Sequence, residues 1–305
     1  MNTNSTKMDV YEIINEKITD LIESGFLPWQ KGWNKLGGHF AVSHTTGKEY
    51  SLLNQLMIAI YEGKDTFSNG EYLTYKQALA EGGKVKAGEK GKMITFWSFI
   101  EKKTKEQDEN GKEVEKVKKY PMLRYYYVFE VDQCEGIERK YPNESKTFAH
   151  DPIEEADKVI NNYYQREGIK LEICPSNDAY YSSSEDKVVC PLREQFQNVG
   201  EFYSTLFHET THSTGAPSRL NREKHSKFGD EKYSKEELVA EMGAAYSLGR
   251  LGIENNYTQK NSAAYLQNWL KALKNDKNLF VGACSRAEEA VNFIFDNVRP
   301  TPTAE

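Results

Sequence analysis

Residues 208–212 read His-Glu-Thr-Thr-His, an HExxH string. On a helix, side chains four positions apart share a face, so His208 and His212 are expected to point the same way. Two imidazoles so placed can hold Zn²⁺, and Glu209 lies beside them as a general base for a metal-activated water. The preceding residues 201–207 are helix-permissive, with Phe202, Leu206 and Phe207 near one side, and Gly215 followed by Pro217 supplies a stop. The bland alternative is a surface helix with two unrelated histidines.

Two histidines do not complete a catalytic zinc site, which ordinarily has three protein ligands and an open position. The pattern HExxHxxGxxH would place a third histidine at 218; the chain has Gly215, but Ser218 occupies that place. His225 is a fallback in a polar segment. A stronger source is Glu236-Glu237-Leu238-Val239-Ala240-Glu241, where Glu237 and Glu241 share a helical face. Thermolysin-like enzymes use such a pair, one glutamate as ligand and an acid one turn later holding a metal-binding histidine. The expected metal ligands are therefore His208, His212 and Glu237, with Glu241 behind them accepting an imidazole N–H. Ser234 precedes Glu237 by three residues, so a capping box would instead engage Glu237 and leave Glu241 as the ligand. The expected ion is divalent, Zn²⁺ first, although a His₂Glu set accepts other divalent ions. Tyr180, Tyr181, Tyr233 and His225 are possible oxyanion stabilisers, and Ala179-Tyr180-Tyr181 suits an edge strand to which an extended peptide could add.

A second chemistry lies in the first half. Lys84, Lys86, Lys90 and Lys92 crowd ten residues opposed only by Glu89, and lead into Phe96, Trp97 and Phe99. Lysines neutralise phosphates and exposed rings stack on unpaired bases, each ring giving about 1–3 kcal/mol. Trp29, Trp33, Tyr72 and Tyr75 add rings. An ordinary basic turn beside an aromatic core would have the same composition.

The elements that must position these groups follow from periodicity. Residues 8–24 read as an amphipathic helix stopped by Gly25, followed by helices at 52–61 and 74–81, the last halted by Gly82-Gly83. Residues 93–99 and 125–129 are strand-like. Between them, residues 101–119 carry seven Lys and six acidic residues around Asn110-Gly111, a solvated hairpin or floppy insertion. After a polar break at 135–150 come a helix at 153–166, short strands at 170–173, 179–182 and 187–190, the HExxH helix, and helices near 235–250, 262–274 and 286–297. Helix, small sheet, HExxH helix and later helices is the order of a zincin-like metallopeptidase domain.

At 305 residues the chain is expected to form two domains, and 12% aromatic content excludes wholesale disorder despite a mean hydropathy of −0.74. Cys134, Cys174, Cys190 and Cys284 form no CxxC pair, which fits a reducing cytosol better than a disulfide scaffold. No apolar run reaches the roughly 20 residues of a membrane span and the start lacks a signal-peptide core, so a cytoplasmic protein without membrane contact is expected. Residues 1–130 hold 19 Lys/Arg against 18 Asp/Glu, and the remainder 21 against 28. A polyanion is therefore tolerated best in the first half, through a local patch.

Both halves together resemble the ArdC-type antirestriction proteins of plasmids, phages and conjugative elements. The resemblance rests on ordered blocks: Leu27 to Asn34, Thr46 to Tyr50, Tyr72 to Ala78, Gly82 to Gly91, Val128 to Gly136, Leu206 to His212, Pro217 to Arg222, Phe228 to Asp230 and Glu236 to Ala245. It implies an α+β chain of two domains. One is an N-terminal mixed α/β domain binding single-stranded DNA (1–137), the other a C-terminal zincin-like metallopeptidase domain (150–300). On that footing Trp29, Trp33, Tyr75, Lys84, Lys86, Lys90, Lys92 and Trp97 become the expected nucleic-acid contacts. The implied role is protection of incoming mobile DNA, with a restriction enzyme or another protein as the target. The resemblance does not carry over proteolysis or any role for 101–119. Two other readings remain open: a non-catalytic DNA-binding protein with a structural metal, and a DNA-directed regulatory or repair metalloprotease.

Overall fold

Ile14, Ile18 and Ile22 recur every four residues and all are buried, which makes Val10–Glu23 (α1) an amphipathic helix. Asp9 caps it by accepting from the Glu12 amide at 2.9 Å, and Glu12 accepts from the Asp9 amide at 3.1 Å. The fold that follows comes from a computed structural model describing residues 9–24, 27, 40–63, 68, 70–107, 113–141, 152–222, 231–253 and 263–296.

In the first half, the short strand Val42–Ser43 (β1) precedes the helix Leu52–Glu62 (α2), which ends at Gly63 in the left-handed region. Glu71–Leu73 (β2) leads into Tyr75–Ala80 (α3), capped reciprocally by Thr74 and Gln77. Lys84–Val85 (β3), Lys92–Gln107 (β4), Glu113–Glu130 (β5) and Cys134–Glu135 (β6) complete this half. One sheet runs β1-β2-β5-β4, and β3 pairs with β6 in a smaller one. Strands β4 and β5 are registered without a break from Lys92↔Val128 to Gln107↔Glu113. The charged segment 101–119 is thus the outer part of a hairpin; its turn at 108–112 lies outside the described residues.

The second half comprises Pro152–Glu167 (α4), Lys170–Cys174 (β7), Tyr180–Ser182 (β8), Lys187–Pro191 (β9), Val199–Ser213 (α5), Glu231–Leu251 (α6), Ala263–Asn275 (α7) and Leu279–Ile294 (α8). Its sheet runs β7-β9-β8, with β8 antiparallel to β9 at the edge. The last helix starts seven residues before the 286 expected, because Leu279, Phe280, Ala283 and Cys284 already bury one face. The architecture is α+β.

Two apolar clusters organise these elements. The first joins α1, α2 and the base of the hairpin to α6, α7 and α8; the second joins α4, β9 and α5 to α6 and α8. Helix α6 serves both, through Leu238, Met242 and Tyr246 on one side and Ala244, Leu248 and Leu251 on another. Each fully buried side chain of this size contributes about 1.5–3 kcal/mol. Burial on two sides fixes the rotation of α6 about its axis, and so the direction of Glu237.

A second histidine–carboxylate cluster lies in the first half. His44 is fully buried, with Nδ1 2.7 Å from Glu71 Oε2 and Nε2 3.0 Å from Glu81 Oε2. Glu71, also fully buried, accepts from the Lys140 and Tyr141 amides at 3.0 and 2.6 Å. Burial opposes ionisation of Glu71, but His44 and these amides hold its carboxyl below the ordinary range.

Candidate metal centre

Helix α5 carries the HExxH string as expected, with Asn198 capping its start by accepting from the Glu201 amide at 2.9 Å. His208 and His212 lie on one face, their rings 4.8 Å apart at 80° and their Nε2 atoms 3.1 Å apart. Glu237 of α6 stands against both, Oε2 3.6 Å from His208 Nε2 and Oε1 3.4 Å from His212 Nε2. Ligands 2.0–2.1 Å from one tetrahedral ion are about 3.3 Å from each other. The three spacings match that figure, and these side chains are the one group of His, Cys, Asp and Glu donors among the described residues that can hold an ion.

Charge agrees with geometry. Burial disfavours a charged imidazole at His212, yet the Glu236 and Glu237 carboxylates outweigh it and push its pKa up to about 10. His208 is raised for the same reason, burial being overcome chiefly by Glu237. Burial would raise Glu237, but the two histidines draw its carboxyl far below the ordinary range. The carboxylates favour positive charge between the helices, and a divalent cation satisfies that preference with the imidazoles neutral.

Close approach of α5 and α6 makes the group possible. A Cβ on Gly243 would sit 2.6 Å from Thr211 Oγ1 and 2.7 Å from its Cγ2, so only glycine fits beside the residue that precedes His212. Hydroxyls hold the other side of α5: Tyr163 and Tyr164 bond Ser213 and Thr210, each at 2.9 Å. Two nearly buried arginines close its C-terminal end. Arg219 donates to the Ser213 carbonyl at 2.6 Å and to both Asp186 oxygens; Arg222 donates to the Thr211 carbonyl and Thr214 Oγ1, both at 2.8 Å. Cations there complement the terminal carbonyls and the helix dipole.

The carboxylate beside His212 Nδ1 was not foreseen. It is Glu236, whose Oε1 is 3.8 Å away and accepts from Arg222 at 2.9 Å. Burial notwithstanding, His212 and Arg222 hold the Glu236 carboxyl below its ordinary range. The Pro217–Arg222 block carried the only signal, through Arg222. Glu241 is nearly buried one turn beyond Glu237, its charge bearing on His208, but it stands outside the three-donor group. Helix α6 begins at Glu231, so Ser234 falls inside the helix and the capping-box alternative loses its premise. Glu209 is nearly buried on α5. Tyr181 is committed to Asp186 and Arg219, Tyr180 is exposed on the edge strand β8, and His225 and the Tyr233 side chain lie outside the described residues.

The expected nucleic-acid residues do not form one patch. Lys84 pairs with Glu135 at 2.9 Å, the Lys86 ammonium donates to the Asp132 carbonyl at 2.8 Å, and Lys90 is exposed. Lys92 departs from the expectation: it is buried beside Gln133 and Glu62, over the Tyr72 ring, because it starts β4 on the covered side of the sheet. Tyr75 is exposed on α3. Trp97, half exposed, lines a cleft of about 590 Å³ with α8 residues Glu288 and Glu289, and with Asp296 and Arg166. Trp29 and Trp33 lie outside the described residues.

Comparison with known proteins accords with this organisation. Residues 8–129 match the N-terminal domain of anti-restriction factor ArdC, and residues 155–286 match a zincin-like metallopeptidase domain. The metal-free crystal structure of the antirestriction protein ArdC from the R388 plasmid superposes with a TM-score of 0.71 at 33% identity, covering 95% of this chain and 98% of that one. A Mn(II)-bound structure of the same protein gives 0.70 at 31% with the same coverage. A protein named DNA primase TraC from Escherichia coli is 32% identical over 94% of this chain, which spans only 27% of that relative. The uncharacterized protein y4eC from Sinorhizobium fredii is 26% identical, with 96% of this chain and 93% of that protein aligned. No helix among the described residues is long and apolar enough to cross a membrane. Matching domains in the same order, and a solved relative covered almost end to end, lead to one conclusion: the chain belongs to the ArdC-type antirestriction family.

Proposed function

We propose that this chain protects mobile DNA from restriction by binding it as a single strand through an N-terminal domain (1–137), and that its C-terminal domain (150–300) is a metallopeptidase with His208, His212 and Glu237 as ligands. The observation that carries the metal reading is the convergence of two Nε2 atoms and one carboxylate at ligand spacing across two packed helices. Zn²⁺ is the expected ion, since imidazole binds it more tightly than Mn²⁺ in most sites.

A divalent ion bound there supplies Lewis acidity, lowering the pKa of a water molecule and polarising a carbonyl. Glu209, nearly buried beside both ligand histidines, would be the base that accepts a proton from an attacking water. Glu236 orients His212 from behind through Nδ1, and Arg222 fixes Glu236. An extended segment of a protein target, a restriction enzyme being the foremost candidate, fits the open edge of β8 beside α5. Support for the single strand comes from the exposed rings and cations of the first half, and from the likeness to a relative named as a DNA primase.

Glu209→Gln tests the catalytic part. Elemental analysis should find one divalent ion in wild type and variant alike, with protection of transferred DNA and any peptide cleavage lost in the variant. Full protection by the variant would reduce the protein to a binding module with a structural metal. Loss of single-strand binding by the wild type at low salt would remove the DNA part.

A further inference from the structure

Residues directly opposite in an antiparallel pair share a face, and successive residues alternate. The unbroken register of β4 and β5 therefore sorts the charged segment into two unlike surfaces. From Lys92 to Thr104, and across to their partners Val128 to Lys116, the even-numbered face contains no carboxylate, the next even position toward the tip being Glu106. It carries the cations Lys102, Lys118 and Arg124 and the exposed rings Phe96, Tyr120 and Tyr126. Phe96 meets Tyr126 edge-on at 5.4 Å, and the Lys102 ammonium lies 5.8 Å from the centre of the Tyr120 ring.

The odd-numbered face differs. Its carboxylates Glu101 and Glu115 are 3.5 and 3.2 Å from Lys119 and Lys103, so these two pairs balance each other's charge within the ribbon. Nearer the base Trp97 lines the cleft that holds Arg166, Glu288, Glu289 and Asp296, and Phe96 of the even-numbered face borders the same cleft.

We infer that the even-numbered face of the β4–β5 hairpin is the track for single-stranded DNA, with phosphates at Arg124, Lys102 and Lys118 and bases against Tyr120, Tyr126 and Phe96. This rests on the single-strand reading above and relocates its contacts from the lysine-rich turn to the arm. Charge complementarity identifies the occupant, and alternating cations and rings suit unpaired bases better than a duplex, whose bases are already stacked. From Phe96 to Lys102 the exposed ribbon runs ~20 Å, room for a short tract of nucleotides.

Anisotropy titration of a labelled oligothymidylate, repeated over a range of salt, tests it. The triple variant Lys102→Gln/Lys118→Gln/Arg124→Gln should bind at least about tenfold more weakly, and its log K against log salt should flatten by about 2, since each single-strand phosphate contact contributes about 0.7. Tyr120→Ala should weaken binding without changing the slope. Lys103→Gln/Lys119→Gln on the other face should leave affinity and slope near wild type. If wild type binds and the triple variant matches it, or the odd-face pair loses as much, the track is overturned while the single-strand reading stands. If wild type itself does not bind, that reading falls and the track with it.

Discussion

The chain holds two histidine–carboxylate clusters, and their difference shows what separates a candidate metal centre from a clamp. At His44 the two carboxylates approach opposite nitrogens of one ring, each at hydrogen-bond distance, so both ring nitrogens are used within the cluster. At His208 and His212 two rings present the same nitrogen to one point, and the Glu237 oxygens face that point from another helix. The first geometry ties β1, β2 and α3 to residues 140–141. The second gathers partial negative charge around a space suited to a cation. Counting ligand-type residues would not separate them; the direction of their lone pairs does.

Substitutions can break this contrast. The largest effect is expected from His208→Ala, which should lower divalent-ion affinity by more than about 100-fold in a competitive chelator titration. His44→Ala should leave that affinity unchanged but reduce unfolding free energy by about 2–4 kcal/mol, because Glu71 stays buried without its main partner. Equal metal losses in the two variants would refute the distinction. Next is Gly243→Ala: the added methyl overlaps Thr211, so α5 and α6 must separate, costing about 1–3 kcal/mol and weakening metal binding. An alanine variant with wild-type melting and metal affinity would show that the helices can slide.

Glu236→Gln should lower metal affinity by roughly tenfold while the fold persists, since the amide still reaches Arg222 but no longer holds charge behind His212. Unchanged affinity would mean that packing alone orients the ring. The smallest effect concerns the fastening of α5 through Asp186. Its bonds to Arg219, against burial, hold its carboxyl below the ordinary 3.8. The stability this contributes is present above that value and lost as pH falls through the lower folded value. The penalty of Asp186→Asn in denaturant titrations should therefore be constant near neutral pH and vanish in acid.

Much of the candidate metal centre was legible along the chain. The spacing of His208 and His212 implies a shared face wherever that segment is helical, and the strength of α5 as a helix could be read from its flanks. Glu237 is preferred to Glu241 as the ligand, but helical spacing alone leaves both open, because one turn sends both to the same side. Glu236 escaped notice because it reaches His212 across an interhelical gap that has no trace in the local pattern. The lysine cluster at 84–92 looked uniform, yet Lys92 faces inward and Lys84 and Lys86 are spent on local partners.

The sequence by itself determined the elements, the HExxH face and the family, since each depends on residue type at short spacing. Only the tertiary structure decided which glutamate meets the histidines and which face of the hairpin is cationic. Both depend on long-range pairing. Burial of α6 on two sides sets its rotation, and the register of β4 against β5 sets which charges share a surface. Neither quantity is a local property of the chain.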